Sequence, residues 1–233
     1  MFQELQKQFE HKLPAFADPS QRWVSSIVLA IAVGVAYFLA ARLSLALLTK
    51  PDGVAVFWPA AGVATGVLIA LGPGARLPVA VGAMAATIVA NLLGDRNIWS
   101  AIVFALCNSG EAVLVAGMIE FYFGSSFSLG SLRDVLGLLA AAILGTAVSG
   151  IGGTVGYVLF HSSTTPVLTI WYHWFASDAL GIVTVAPLLI GLVSAARDPP
   201  PRSEVIEGAL ALGALSFLCG VIIFLPRQSW AAV

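Results

Sequence analysis

Apolar residues run along this chain in seven stretches, 23–49, 53–72, 77–93, 98–123, 133–160, 168–193 and 204–225. Most are close to the roughly 20 residues that a helix needs to cross the hydrocarbon core of a bilayer. The third is the shortest. The predicted fold class is therefore all-α: a polytopic transmembrane helical bundle with seven helices in this chain. Breaker residues separate the stretches, in Pro51-Asp52-Gly53, Gly72-Pro73-Gly74, Gly94-Asp95-Arg96-Asn97, Pro166 and Asp198-Pro199-Pro200-Pro201. None of these connections is long enough to fold as a soluble domain. Ser131 and Asp134 have the spacing of a capping box, which places the start of the fifth helix there.

Orientation follows from the basic residues in the connections. With the N-terminus inside, Lys7, Lys12, Arg22, Arg76, Arg133, Arg197 and Arg202 are cytoplasmic, whereas Lys50, Arg96 and Arg227 are outside. Seven against three favours this arrangement. Seven crossings then leave Val233 outside, and Ser229 to Val233 begin another apolar stretch. An eighth helix, and a cytoplasmic module after it, are expected beyond Val233. Two regions result: 1–22, a cytoplasmic N-terminal segment, and 23–233, an integral-membrane domain that lacks its last helix. Phe2, Leu5 and Phe9 share one helical face, the pattern of a short interfacial helix and equally that of a frayed tail.

Composition narrows the class of function. The 233 residues are 59% hydrophobic and 10% charged, and the mean hydropathy is +0.95, far from an average soluble domain. The lipid bilayer is the first partner. A net charge of −1 without a basic face excludes a nucleic-acid partner. Cys107 and Cys219 lie inside apolar stretches without metal-ligand or disulfide spacing and read as core fillers.

Against this background a few polar residues stand out. The fourth stretch contains Cys107-Asn108-Ser109-Gly110-Glu111-Ala112 at its middle. At about 1.5 Å per residue, Glu111 falls within about 1 Å of its helix centre, Asn108 and Asp178 about 4 Å away, Asn91 and Arg42 about 9 Å, and His173 about 11 Å. All but Glu111 lie in the outer half. Such an asymmetry is expected of a cavity that opens outward, and an ionisable residue within the membrane is a functional candidate by default. Hydrogen bonding of a protonated Glu111 to Asn108 or Asn91 is the packing alternative.

Trp171, Trp174, Asp178 and Gly181 repeat the pattern as one helical stripe. Two indoles beside a carboxylate have the elements of a cation box, and tryptophans near a boundary equally form an interfacial belt. Arg42 is a possible ion-pair partner for Glu111 or Asp178, or else snorkels to the surface. No lysine occupies a helix interior and no histidines face each other in pairs, so neither a retinal Schiff base nor a spanning haem is expected; the expectation is no cofactor and no metal. Gly62 and Gly66, Gly152 and Gly156, and Gly145 with Ser149 are spaced by four, as close-packing faces are. The chain has no GxSxG elbow, HExxH helix or P-loop, and its glycine-rich 150–156 stretch lacks dinucleotide-loop spacing. No catalytic residue is assigned.

Three segments carry a resemblance. Trp58-Pro59-Ala60-Ala61-Gly62 resembles the WPPAG signature, Asn108-Ser109-Gly110-Glu111-Ala112 the N-x-x-E-A signature, and Ser177-Asp178-Ala179-Leu180-Gly181 the GDALG signature of membrane-associated sensor (MASE) domains of type one. Ala60 stands where the signature has its second proline, and Ser177 where it has its first glycine. Arg133-Asp134-Val135 and Asn91 fall in matching places, and the resemblance covers residues 23 to 225. It implies an eight-helix input domain of bacterial histidine kinases or diguanylate cyclases, in the inner membrane, with no catalysis in the helices.

The expected function is thus a sensor whose outward-facing cavity, lined by Trp58, Pro59, Asn91, Asn108, Glu111, His173, Trp174 and Asp178, takes a small ligand or a membrane protein partner. Its output module is expected to form a homodimer. The rival from another class is a small transporter or its substrate-binding subunit, against which stands the lack of an inverted repeat or paired broken helices.

Overall fold

The computed structural model describes residues 19–46, 57–94, 96–124, 127–161 and 164–224, with side chains described between 23 and 218. Most of the 1–22 segment, Lys50, Arg227 and the Cys219 side chain lie outside the described residues. Those that are described form helices α1 (Pro19–Ala46), α2 (Pro59–Leu71), α3 (Arg76–Leu92), α4 (Ile98–Phe123), α5 (Leu132–Phe160), α6 (Val167–Arg197) and α7 (Arg202–Phe224), with a 3-10 turn at Pro73–Ala75. Among them there is no strand, and the all-α bundle of seven helices is what the apolar stretches predict. Among the described residues, five spans are long and apolar enough to cross a membrane: Trp23–Ala46, Pro73–Leu92, Ile98–Phe123, Leu132–Phe160 and Val167–Arg197.

Helix ends follow local chemistry. Asn97 caps α4, its side chain accepting from the Trp99 N–H at 2.8 Å, and Ser131 caps α5 by accepting from Asp134 N–H at 3.2 Å. Gly72 and Gly124 end α2 and α4 with φ of 78° and 80°, where a side chain is disfavoured. The second apolar stretch departs from its prediction. Its helix has only 13 residues, about 20 Å at 1.5 Å per residue and short of the ~30 Å hydrocarbon core. Pro59 occupies the first helical turn, and the steric demand of its ring keeps Trp58 out of the α conformation.

The chain divides into two units, Met1–Val193 and Ser194–Val233. The second contains the last residues of α6, the proline-rich connection and α7, which is apolar around its whole circumference after Glu207. In the first, α1 packs on α2 and α3, and α4 on α2, α3 and α5. One end of this unit gathers Ala46, Trp58, Leu92, Ile98, Phe160 and Val167; the other gathers Gly72, Arg76, Gly124 and Leu132.

Small residues set these contacts, because helices in lipid gain little from the hydrophobic effect and associate through close packing. A Cβ on Gly82 would strike the Ala30 carbonyl of α1, and one on Gly145 would strike Val115 of α4. A Cβ on Gly152 would stand 2.6 Å from the Cys107 sulfur, and one on Gly156 2.6 Å from Val103. The closest approach joins α2 to α6: Gly62 lies against the Gly181 carbonyl, Gly181 against the Trp58 carbonyl, and a Cβ on Gly66 would be 2.9 Å from Ala186 Cα. Backbone cannot step aside as a side chain can. At the end away from Trp58, Arg76 and Glu120 pair at 2.5 Å with both side chains partly solvent-exposed.

The prediction concerns Gly181. Gly181→Ala should lower the melting temperature in detergent, with a loss at or above the ~1–3 kcal/mol of an overpacked core. Gly110→Ala, where an added Cβ would meet nothing within 4 Å beyond its own helix backbone, should be neutral or stabilising by up to about 1 kcal/mol through helix propensity. Parallel thermal scans of the two variants check this.

Candidate functional site

The start of α2 places the first component of the site. Trp58 takes φ −121°, ψ 75°, and its N–H donates to the Ser177 carbonyl of α6 at 3.1 Å. Non-helical backbone at membrane depth is tolerated where protein satisfies it, and this bond does so. The Trp58 indole N–H donates to the hydroxyl of Tyr37, a wholly buried residue of α1, at 3.3 Å. Two of the three signature segments, around Trp58 and around Ser177, are thereby one contact.

Beside that contact is a cavity of about 40 Å³, room for about three water-sized positions. Trp58, Phe104, Tyr157 and Trp174 form aromatic walls, with Leu45 at one side. Asn91, Asn108, Ser177 and Asp178 supply the polar lining, and Arg96, in the α3–α4 connection, completes it. Asn91, Asn108, Glu111 and Asp178 each expose no more than 5% of their surface.

These polar groups are unequally satisfied. Asn91 donates to the Thr87 carbonyl at 2.8 Å. The Ser177 hydroxyl lies 3.0 Å from the Trp174 carbonyl and 3.2 Å from Asp178 Oδ1, and it donates to one at a time. Asn108 Oδ1 is buried without a hydrogen-bond partner in the protein, and Trp174 Nε1, Asp178 Oδ2, Glu111 Oε2 and Ser149 Oγ are buried without a hydrogen bond of good geometry, although Trp174 and Glu111 lie beside the Asp178 carboxyl and Ser149 beside that of Glu111. Buried polar atoms normally find a partner. A buried cluster of polar atoms that pair imperfectly with one another is the chemical character of this site.

Glu111 does not line the cavity; its carboxyl sits beside Asp178 and Ser149, behind the wall. His173 does not line it either, and its ring lies 6.0 Å from that of Tyr172. Pro59 contributes through the shape that it forces on Trp58. Arg42 forms no ion pair with Glu111 or Asp178; it lines a neighbouring cleft with Leu93, Gly94 and Arg96, which Leu45 joins to the cavity. The indole stripe divides. Trp171 packs over Gly150, its N–H donating to the Ala147 carbonyl at 3.1 Å, whereas Trp174 lies over Gly153 and faces the cavity.

Leu45, Arg96, Phe104, Tyr157 and Ser177 are not among the cavity residues that the sequence predicts, although Phe104 and Tyr157 carry signals there. Phe104, Asn108 and Glu111 recur at helical spacing on α4, and so do Tyr157 and His161 at the end of α5. The Tyr157 and His161 rings stack 4.4 Å apart, Phe104 stacks on His161 at 6.1 Å and tilts against Trp174 at 5.0 Å, and the Arg96 guanidinium stands 5.7 Å over Phe104. Burial draws Arg96 below the ordinary arginine range, and the neighbouring Tyr157 opposes this.

Long apolar helices packed around a buried polar cluster define a polytopic membrane protein. The family model of MASE1 matches residues 28–231, nearly the whole chain, and the chain belongs to that family. MASE1 domains are membrane sensory input domains and are not catalytic. No curated protein and no solved structure matches the chain.

A pH prediction follows from His161. Burial, and then Arg96, hold its imidazole below the ordinary histidine range, against a smaller opposing effect of the Tyr157 backbone. Because the folded value is the lower one, the unfolded chain takes up the proton first as pH falls; stability is complete above about 6.5 and declines below it. His161→Phe keeps the ring stack and removes the titration. Thermal unfolding from pH 7.5 to 5 should therefore show a smaller acid-side decline in the variant than in the wild type.

Proposed function

We propose that this domain is the sensory input of a bacterial inner-membrane signalling protein, with its N-terminus cytoplasmic, and that the polar cavity receives its stimulus. The stimulus is a small ligand or a partner's membrane segment, and the output is a cytoplasmic histidine kinase or diguanylate cyclase module that works as a homodimer. The orientation is supported by the excess of Lys and Arg at one side. In that orientation the end bearing Arg96 and His161 faces outward.

One observation carries the reading: the buried Asn108 Oδ1, Trp174 Nε1 and Asp178 Oδ2, none with a hydrogen bond of good geometry, belong to residues lining a cavity whose walls are otherwise aromatic. A bundle selected for stability alone would pair them or replace them with apolar residues. A ligand that satisfies them binds one helix arrangement better than another, which is the thermodynamic requirement for a signal. The α2–α6 contact is the natural element to respond, since Trp58 belongs to one side of it and Ser177 and Asp178 to the other.

Glu111→Gln and Asp178→Asn, introduced into the domain joined to its output module, should change kinase or cyclase output by about 5-fold or more, the low end of typical coupling. Membrane insertion, followed by fractionation and protease accessibility, should remain as in the wild type. Output equal to wild type in both variants would falsify the proposal.

A further inference from the structure

Two carboxyl groups meet near the middle of the span. Glu111 of α4 and Asp178 of α6 lie within hydrogen-bond reach of one another, and each exposes only 3% of its surface. Among the described residues, neither pairs with a basic side chain. The elements around the pair and its cavity present uncharged groups: the Tyr37 hydroxyl from α1, the Trp58 indole ahead of α2, Thr87 and Asn91 from α3, Ser149 from α5, and Trp174 and Ser177 from α6. On α4 the Cys107 thiol is a further titratable neighbour. Arg96 lines the same cavity, its guanidinium 5.7 Å over the Phe104 ring, and pairs with neither carboxyl.

Two adjacent carboxylates repel, and hydrocarbon neither screens nor solvates them. One proton between them replaces the repulsion by a charge-assisted hydrogen bond that ties α4 to α6. We infer that Glu111 and Asp178 form such an acid–carboxylate pair, which exchanges its shared proton with the outer side through the cavity, so that outer pH is the stimulus of this domain. This rests on the sensory reading and the orientation given above, and it names the proton as the ligand of that site. The proton belongs to the pair and not to either residue. When it leaves at high outer pH, two carboxylates face each other and push α4 from α6; when it returns, the helices are tied again.

Access is one-sided. Asp178 lines the cavity with Glu111 behind it, and the lining continues to Leu45 and Arg96 at the end assigned to the outside. A volume of about 40 Å³ has room for about three water-sized positions, enough to pass a proton. Asn108 Oδ1, buried and without a partner in the protein, offers such water an acceptor beside Asp178. Toward the other end, α4 has no ionisable residue between Glu111 and Glu120, and α6 has none between Asp178 and Arg197. Val115, Ala116 and Ile119 of α4 and Ile182, Ala186 and Ile190 of α6 are buried there. A proton arriving from outside therefore stops at the pair, and the domain reports protons without conducting them.

The test has two readouts. Infrared difference spectra of the whole chain in lipid nanodiscs, taken between acid and alkaline buffer, should show a protonated-carboxyl band that titrates, shifts or vanishes in Glu111→Gln and Asp178→Asn, and persists in His161→Phe. In the domain joined to its output module, output should change about 5-fold or more with outer pH at fixed inner pH. Glu111→Gln, which keeps the size of the side chain, should abolish that dependence even where Asp178→Asn fails to assemble, and His161→Phe should retain it. Absence of a titrating band, a pH response that survives in Glu111→Gln, or one that disappears in His161→Phe overturns the inference. So does a response to sodium or methylammonium at constant pH, which would assign the pair to a cation. Output changes in Glu111→Gln and Asp178→Asn without a titrating band would remove the proton and leave the sensory reading intact. A titrating band with wild-type output in both variants would remove the sensory reading, and the stimulus with it.

Discussion

The site depends on one contact, the place where the backbones of α2 and α6 touch. Gly62 and Gly181 have no Cβ, so the Trp58 carbonyl can lie against Gly181 and the Trp58 N–H can reach the Ser177 carbonyl at 3.1 Å. Pro59 is the other half of this constraint. It starts α2 late and leaves Trp58 extended, with a free N–H that needs an acceptor. A larger residue at either glycine would separate the helices, expose that N–H to hydrocarbon and move the Trp58 indole away from Tyr37. Close packing and hydrogen bonding are here the same event.

From that contact the polarity of the bundle follows. Ser177 and Asp178 are held on α6 beside Trp58, and α4 brings Asn108 and Glu111 to them because the two are three residues apart and share a face. Gly150 and Gly153 let α5 approach α6 closely enough for Trp171 and Trp174 to lie across it. The result is a group of buried oxygens and an indole N–H that pair only imperfectly with one another, closed by an aromatic stack and Arg96. The other end of the same unit is built differently: Arg76 and Glu120 satisfy each other where water reaches them.

Much of this was legible in the chain. Apolar stretches of membrane length defined the helices, since backbone groups in lipid must be satisfied within each segment and leave few options beside a helix. Ser131 at the start of α5 capped as its spacing indicated. Glycines spaced by four on α2 and α5 became close-packing faces for the reason that the spacing suggests. What misled was the second stretch, read as helical up to residue 72 without a break, whereas Phe57 and Trp58 are non-helical and α2 begins at Pro59; hydropathy reports solubility in lipid and is blind to the φ restriction of a proline.

The sequence by itself determined the fold class and the few residues costly enough in a membrane to be site candidates, because both follow from local chemistry and the solvent, and its signature segments pointed to the family. Only the tertiary structure decided which of them meet. His173 and Arg42, comparable in depth to Asn91, lie away from the cavity, and Glu111 stands behind Asp178. Arg96, which counted only as a loop charge, lines the cavity. Depth along a helix is a property of one segment, whereas the direction a residue faces depends on the rotation of every helix against its neighbours. That rotation is set where glycines let backbones touch, across residues 62 and 181 that are distant in the chain.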